Sequence, residues 1–140
     1  MKRYLTPVDG SRGSERALSY AIARARDPKA EIHLLHVVPP VEYDDLKSYA
    51  ESSDIVKIRR EAHQRILASA IDQVKAAGIS CVGHLLDGHP GETIVRIAES
   101  QNMDEIMIGS RGRSAIGSLL LGSVSSHVAH LARVPVTLVK

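Results

Sequence analysis

The stretch Glu105-Ile106-Met107-Ile108-Gly109-Ser110-Arg111-Gly112 decides how this chain reads. Its first half holds a short apolar run of the length of a buried strand, and its second half is made of turn formers. After nine further residues comes Gly122-Ser123, followed by Val124, Val128 and Leu131, an apolar stripe at helical spacing. Strand, glycine-rich connection and helix in that order form part of a parallel α/β arrangement. Glycine permits positive φ and close backbone approach, so amides near Gly109, Gly112 and Gly122 can converge on one anion. Ser123 adds a hydroxyl at a helix start, where unpaired N–H groups favour phosphate.

Working outward, short apolar runs alternate with helical patterns. Strands are expected at Tyr4 to Val8, Glu31 to Val38, around Ser80 to Leu86, Glu105 to Ile108, and Val136 to Val139. The first is stopped by Asp9-Gly10 and the second by Pro39-Pro40. Ser11 or Ser14 can cap the first helix, whose inward face is Ala17, Leu18, Ala21, Ile22 and Ala25. The longest helix carries Ile55, Ile58, Ala62, Ile66, Ala70 and Val74 on one face, and Gly78 is placed to end it. A shorter helix with Ile94, Ile97 and Ala98 follows His89-Pro90-Gly91, and the last begins at Ser123. Pro39 to Ala50 is the one long irregular connection, of a kind that is usually functional or poorly ordered.

At 140 residues the chain suits a single domain spanning 1–140, able to bury roughly 68% of its unfolded surface. Lys and Arg number 18 against 16 Asp and Glu, for a net charge of +2, and the signs are interleaved. Bulk nucleic-acid binding is therefore not expected. With four Tyr and neither Phe nor Trp, platforms for single-stranded nucleic acid are largely missing as well. No apolar run has the length of a membrane span, and none near the N-terminus suits a signal peptide. The single Cys81 cannot form an internal disulfide; it fits a reducing cytoplasm and reads as a small core residue.

Ligands of open α/β sheets bind outside the carboxyl ends of the strands, where strand order reverses. That edge collects Asp9, Val37 and Gly109. Four hydrogen bonds to a charged phosphate, at about 1.5–3 kcal/mol each, supply roughly 6–12 kcal/mol, whereas association costs on the order of 4–15 kcal/mol. A phosphate cradle alone leaves affinity marginal, so the ends of the first two strands must grip the rest of the ligand. The histidines are poorly spaced for a metal site. His33 and His36 point to opposite faces of a strand, and His127 and His130 share a helix face without further ligands nearby.

The pattern Gly109-x2-Gly112-x9-Gly122-Ser123 closely resembles the nucleotide motif of the ATP-binding branch of the universal stress protein family. The resemblance spans the chain, through Pro7-Val8-Asp9-Gly10-Ser11, Leu35-His36-Val37-Val38, Gly88-x-Pro90 and Pro135-Val136-x-Leu138-Val139. It implies a single Rossmann-like three-layer α/β domain, with a five-stranded parallel sheet in order 3-2-1-4-5 flanked by four helices. It also implies ATP or another adenine nucleotide as ligand. The adenine slot would be formed by the backbone of Val37 with Pro7 and Val8 nearby. Asp9 would lie beside the nucleoside or a phosphate-bound Mg2+. Gly109 would lie near the ribose, Ile108 would also be among the nucleotide-binding residues, and Gly112, Gly122, Ser123, Val124 and Ser125 would lie around the phosphates. Arg111 and Arg113 stand within reach of phosphate or of a gating role. A homodimer through the last strand is implied too.

A nucleotide-responsive regulatory module in the stress response accords best with a phosphate cradle that lacks a Walker lysine and a second carboxylate beside Asp9. Two alternatives stay open at this point. One is a slow ATPase or phosphotransferase using Asp9 and a bound Mg2+, and the other is a structural homodimer with a vestigial nucleotide site.

Overall fold

A computed structural model of the chain describes residues 1–26, 28–40, 53–111 and 121–140. Five strands are present: β1 (Lys2–Pro7), β2 (Ala30–Val38), β3 (Cys81–Asp87), β4 (Glu105–Gly109) and β5 (Val136–Val139). The helices between them are α1 (Arg12–Arg24), α2 (Ser53–Ala76), α3 (Pro90–Ser100) and α4 (Ser123–Leu131). All strands pair in parallel, in the order β3-β2-β1-β4-β5 that the family resemblance implies. The strand limits lie within two residues of those read from the sequence. Where β1 stops at Pro7, the Val8 amide still donates to the Leu35 carbonyl at 2.9 Å.

Alternation along each strand divides the core in two, because successive side chains leave a strand on opposite faces. Tyr4, Ile32, Leu34 and Met107 pack with Leu18 and Ala21 of α1 and Leu67, Ala70 and Val74 of α2. Leu5, Leu35, Val37, Ile106 and Ile108 pack with Ile94, Ile97 and Ala98 of α3 and Val128 of α4. The result is a three-layer sandwich with its sheet buried on both sides. Apart from Tyr4, the hydrophobic core among the described residues is aliphatic or methionine, in keeping with a chain that has no Phe or Trp.

Chain reversals follow local chemistry. Ser11 caps α1 by accepting from the Ser14 amide at 3.2 Å. Gly78, two residues past the end of α2, adopts φ +75°, a conformation costly for any residue with a Cβ. Pro90 opens α3, where its missing N–H costs nothing.

Two inward faces differ from the sequence reading. Ile58 is 61% exposed, while Leu67 is buried. Arg60 of α2 lies 3.8 Å from Asp87 at the end of β3, and residues 56–61 are all exposed, so this early part of the helix is not packed into the core. Leu131, expected inward, is also exposed. It occupies the last turn of α4, where the chain turns away and Ala132 and Val134 pack against the core instead.

Candidate functional site

A cleft of about 380 Å³ opens at the carboxyl edge of the sheet, within the size range of small-molecule sites. It straddles β1 between β2 and β4, the point where strand order reverses. Pro7, Val8 and Asp9 enter it from the end of β1, and Val37 from β2. Ile108, Gly109 and Arg111 enter from the end of β4, and Gly122, Ser123, Val124 and Ser125 from the start of α4. The fold thus brings together every site residue read from the sequence that is described. Gly112 and Arg113 lie outside the described residues, as does most of the connection after Pro39.

The ends of β1 and β4 are held rigidly. Asp9 accepts the Ser11 amide through Oδ1 at 2.9 Å, and its own amide donates to Ser14 Oγ at 3.1 Å. One carboxylate oxygen is therefore part of a local turn. The Gly122 amide donates to the Ser110 carbonyl at 2.7 Å, and Ser125 Oγ donates to the same carbonyl at 2.8 Å. Ser125 is buried, and its hydroxyl also lies 3.1 Å from the Gly122 carbonyl. These bonds fasten the start of α4 to the end of β4 and fix the direction in which its first amides point.

Glycine serves the cleft differently from the sequence reading. Positive φ occurs at Gly10, Gly78 and Gly88, but not at Gly109 or Gly122. Gly122 has an extended conformation, φ −73° and ψ 167°, open to any residue. Gly109 is needed for close packing, since a Cβ there would lie 2.6 Å from the carbonyl oxygen of Gly13 in α1. Gly13 carries no motif in the sequence; only the crossing of α1 over β4 reveals it.

Charge in the cleft is sparse. Among its described residues the formally charged side chains are Asp9 and Arg111, and they cancel. What remains is the partial positive charge of helix N-termini. The starts of α1, α3 and α4 all reach the cleft, through Ser11 and Ser14, Pro90, and Ser123 to Ser125. Neither α3 nor α4 has a side-chain hydrogen bond at its N-cap, so their first amides are not capped from within in that way.

Two histidines missed as site residues also line the cleft. Buried His36 places Nδ1 2.6 Å from the Val8 carbonyl and Nε2 2.7 Å from Nδ1 of His63 on α2. Helical and strand spacing give no sign of this pair, because its members are brought together only by packing. His33 and His36 do face opposite sides, as expected. Elsewhere His130 Nδ1 lies 2.8 Å from the Ser126 carbonyl, and His127 Nε2 is buried without a partner among the described residues. Among the described residues no group of three potential metal ligands converges, and no helix is long and apolar enough to cross a membrane.

Residues 1–140 match the universal stress protein family throughout. The chain belongs to that family. The solved structure of universal stress protein MJ0577 from Methanocaldococcus jannaschii is similar to it with a TM-score of 0.83 and 31% identity, covering 99% of this chain and 95% of that one. A family member solved in complex with cAMP is 27% identical, with a TM-score of 0.70 and coverage of 99% and 95%. A third, from Archaeoglobus fulgidus in complex with dAMP, is 25% identical, with a TM-score of 0.71 and coverage of 100% and 98%. Family members of this fold therefore bind adenine nucleotides.

Proposed function

We propose that this protein is a regulatory module of the stress response that binds an adenine nucleotide, ATP or AMP, in the cleft across β1. The observation that carries the reading is the start of α4, where Ser123, Val124 and Ser125 line the cleft at a helix N-terminus with no side-chain cap. The N–H groups and the partial positive charge of a helix N-terminus attract phosphate without any lysine. Gly122, Ser123, Val124 and Ser125 surround the phosphates, together with Arg111. Gly109 and Ile108 lie at the ribose. Pro7, Val8 and Val37 form the adenine slot. The complexes of related proteins with cAMP and dAMP support the choice of base.

Asp9 meets the ribose or a Mg2+ carried by the phosphates. It is the one carboxylate among the described residues of the cleft, and Mg2+ bound to a nucleotide needs only one or two. The same scarcity of acid, base and lysine groups favours binding over turnover. Titration calorimetry with ATP, ADP and AMP tests the reading, and binding of none of them at millimolar concentration would sink it. In a single-turnover assay with radiolabelled ATP, intact nucleotide after prolonged incubation is the expected result; hydrolysis abolished by Asp9→Ala would make the protein an enzyme.

Homodimerisation in the cytoplasm through β5 belongs to this reading. β5 is an edge strand of partly buried residues, and an edge of that kind invites pairing with a second copy. Sedimentation equilibrium at micromolar concentration distinguishes the dimer from a monomer.

A further inference from the structure

From the pairing of His36 with His63 we infer that His63 is the aromatic wall of the base end of the cleft, a binding residue on which the purine stacks. The inference rests on the nucleotide reading above. Strand order gives the direction of the ligand. Phosphates at the start of α4 lie beside β4, so a nucleotide crossing β1 brings its base to the end of β2, where Val37, Pro39, His36 and His63 line the cleft.

A flat π surface strengthens the hold on a base beyond what the aliphatic slot of Pro7, Val8 and Val37 gives, and this chain has few to offer. Phe and Trp are absent. Tyr4 is buried in the core, Tyr20 packs against it, and Tyr43 and Tyr49 lie outside the described residues. Among the described residues of the cleft the aromatic rings are the two imidazoles. Their centroids are 4.9 Å apart with planes inclined by 28°, yet the nitrogens approach to 2.7 Å. The rings therefore meet edge to edge and form one extended plate.

Hydrogen bonding fixes the orientation of that plate. The Val8 carbonyl can only accept, so His36 Nδ1 carries a proton and donates to it. In the tautomer with the proton on Nδ1, His36 Nε2 accepts and His63 Nδ1 donates. The Val8 peptide is locked from both ends, because its amide donates to Leu35. His36 is 3% exposed and serves as the anchor, whereas half-buried His63 supplies the face.

The test compares ATP with inorganic tripolyphosphate, which has the charges but no base, on the full chain by calorimetry. His63→Phe keeps the flat face and loses the bond to His36; His63→Gln keeps a donor for His36 and loses the ring. We expect ATP affinity to fall about ten-fold or more in His63→Gln and by no more than about three-fold in His63→Phe, since base stacking is worth about 1–3 kcal/mol. Tripolyphosphate affinity should stay within about two-fold of the parent in both. Equal ATP affinity in all three proteins, or the reverse order of the two variants, overturns the stacking role while leaving nucleotide binding intact. Failure of the parent protein to bind ATP overturns both.

Discussion

Gly13 of α1 and Gly109 of β4 meet backbone to backbone: a Cβ on Gly109 would stand 2.6 Å from the Gly13 carbonyl oxygen, and one on Gly13 would collide with the carbonyl of Arg111. The helix and the strand are therefore closer than any pair of side chains would permit. The first helix is pressed against the floor of the cleft, and Ser11 and Ser14 reach the cleft for that reason.

Gly13→Ala and Gly109→Ala should each destabilise the protein by about 1–3 kcal/mol, because neither backbone can withdraw from a packed core without moving its neighbours. The loss should appear in urea unfolding without nucleotide. Unchanged stability in both variants would mean that the glycines are kept for the ligand alone.

Gly122→Val places a branched side chain beside the first amides of α4, in the path of the phosphates. Since Gly122 has ordinary extended angles, backbone strain is not the cause of its effect. Losing even one charge-assisted hydrogen bond weakens ATP binding by about ten-fold or more. Calorimetry giving the parent affinity would contradict the cradle.

Ser125→Ala removes the hydroxyl that ties α4 to the Ser110 carbonyl. A cost of about 1 kcal/mol in chemical denaturation is expected, and ATP should bind more weakly as the start of α4 loses its fixed direction. A variant as stable as the parent would show that the Gly122 amide alone holds this junction.

The ring of His127 packs over Gly91, where an added Cβ would lie 2.8 Å from the imidazole. His127→Ala should leave ATP affinity within about 1 kcal/mol of the parent. A larger loss, measured under the same conditions, would place His127 at the ligand.

Acid should weaken the fold in two stages. Burial, then His33 and Arg3, hold His84 below its ordinary 6.5. The unfolded chain takes up this proton first as pH falls below 6.5, so stability drops until native His84 is protonated as well. The hydrogen bond from His33 is the largest cause holding Glu31 below its ordinary 4.5. Its contribution is complete above 4.5 and is lost as pH falls through the lower native value. Urea midpoints between pH 8 and pH 3 should show both stages, and His84→Gln should abolish the upper one. An identical profile for the variant would remove His84 from the account.

Much of this molecule is legible along the chain. Apolar runs ending in Asp9-Gly10, Pro39-Pro40 and Gly109 mark the strands, and helical stripes mark the layers that cover them, because periodicity is a local property of sequence. Many of the residues that line the cleft were legible too, through the long spacing from Gly109 to Ser123 and its resemblance to a known family, whereas His36 and His63 were not. Ile58 and Leu131 were misread, since a stripe shows which residues share a helix face but not which part of the helix packs into the core.

What the sequence by itself determined is the order and type of the elements and the chemistry at the strand ends. Only the tertiary structure decided why Gly109 and Gly13 must both lack a Cβ, that Ser125 serves as a fastening, and that His36 and His63 form one plate. Those relationships join positions far apart in the chain. They arise from how closely helices settle on a sheet, and that distance is set by packing rather than by any local pattern.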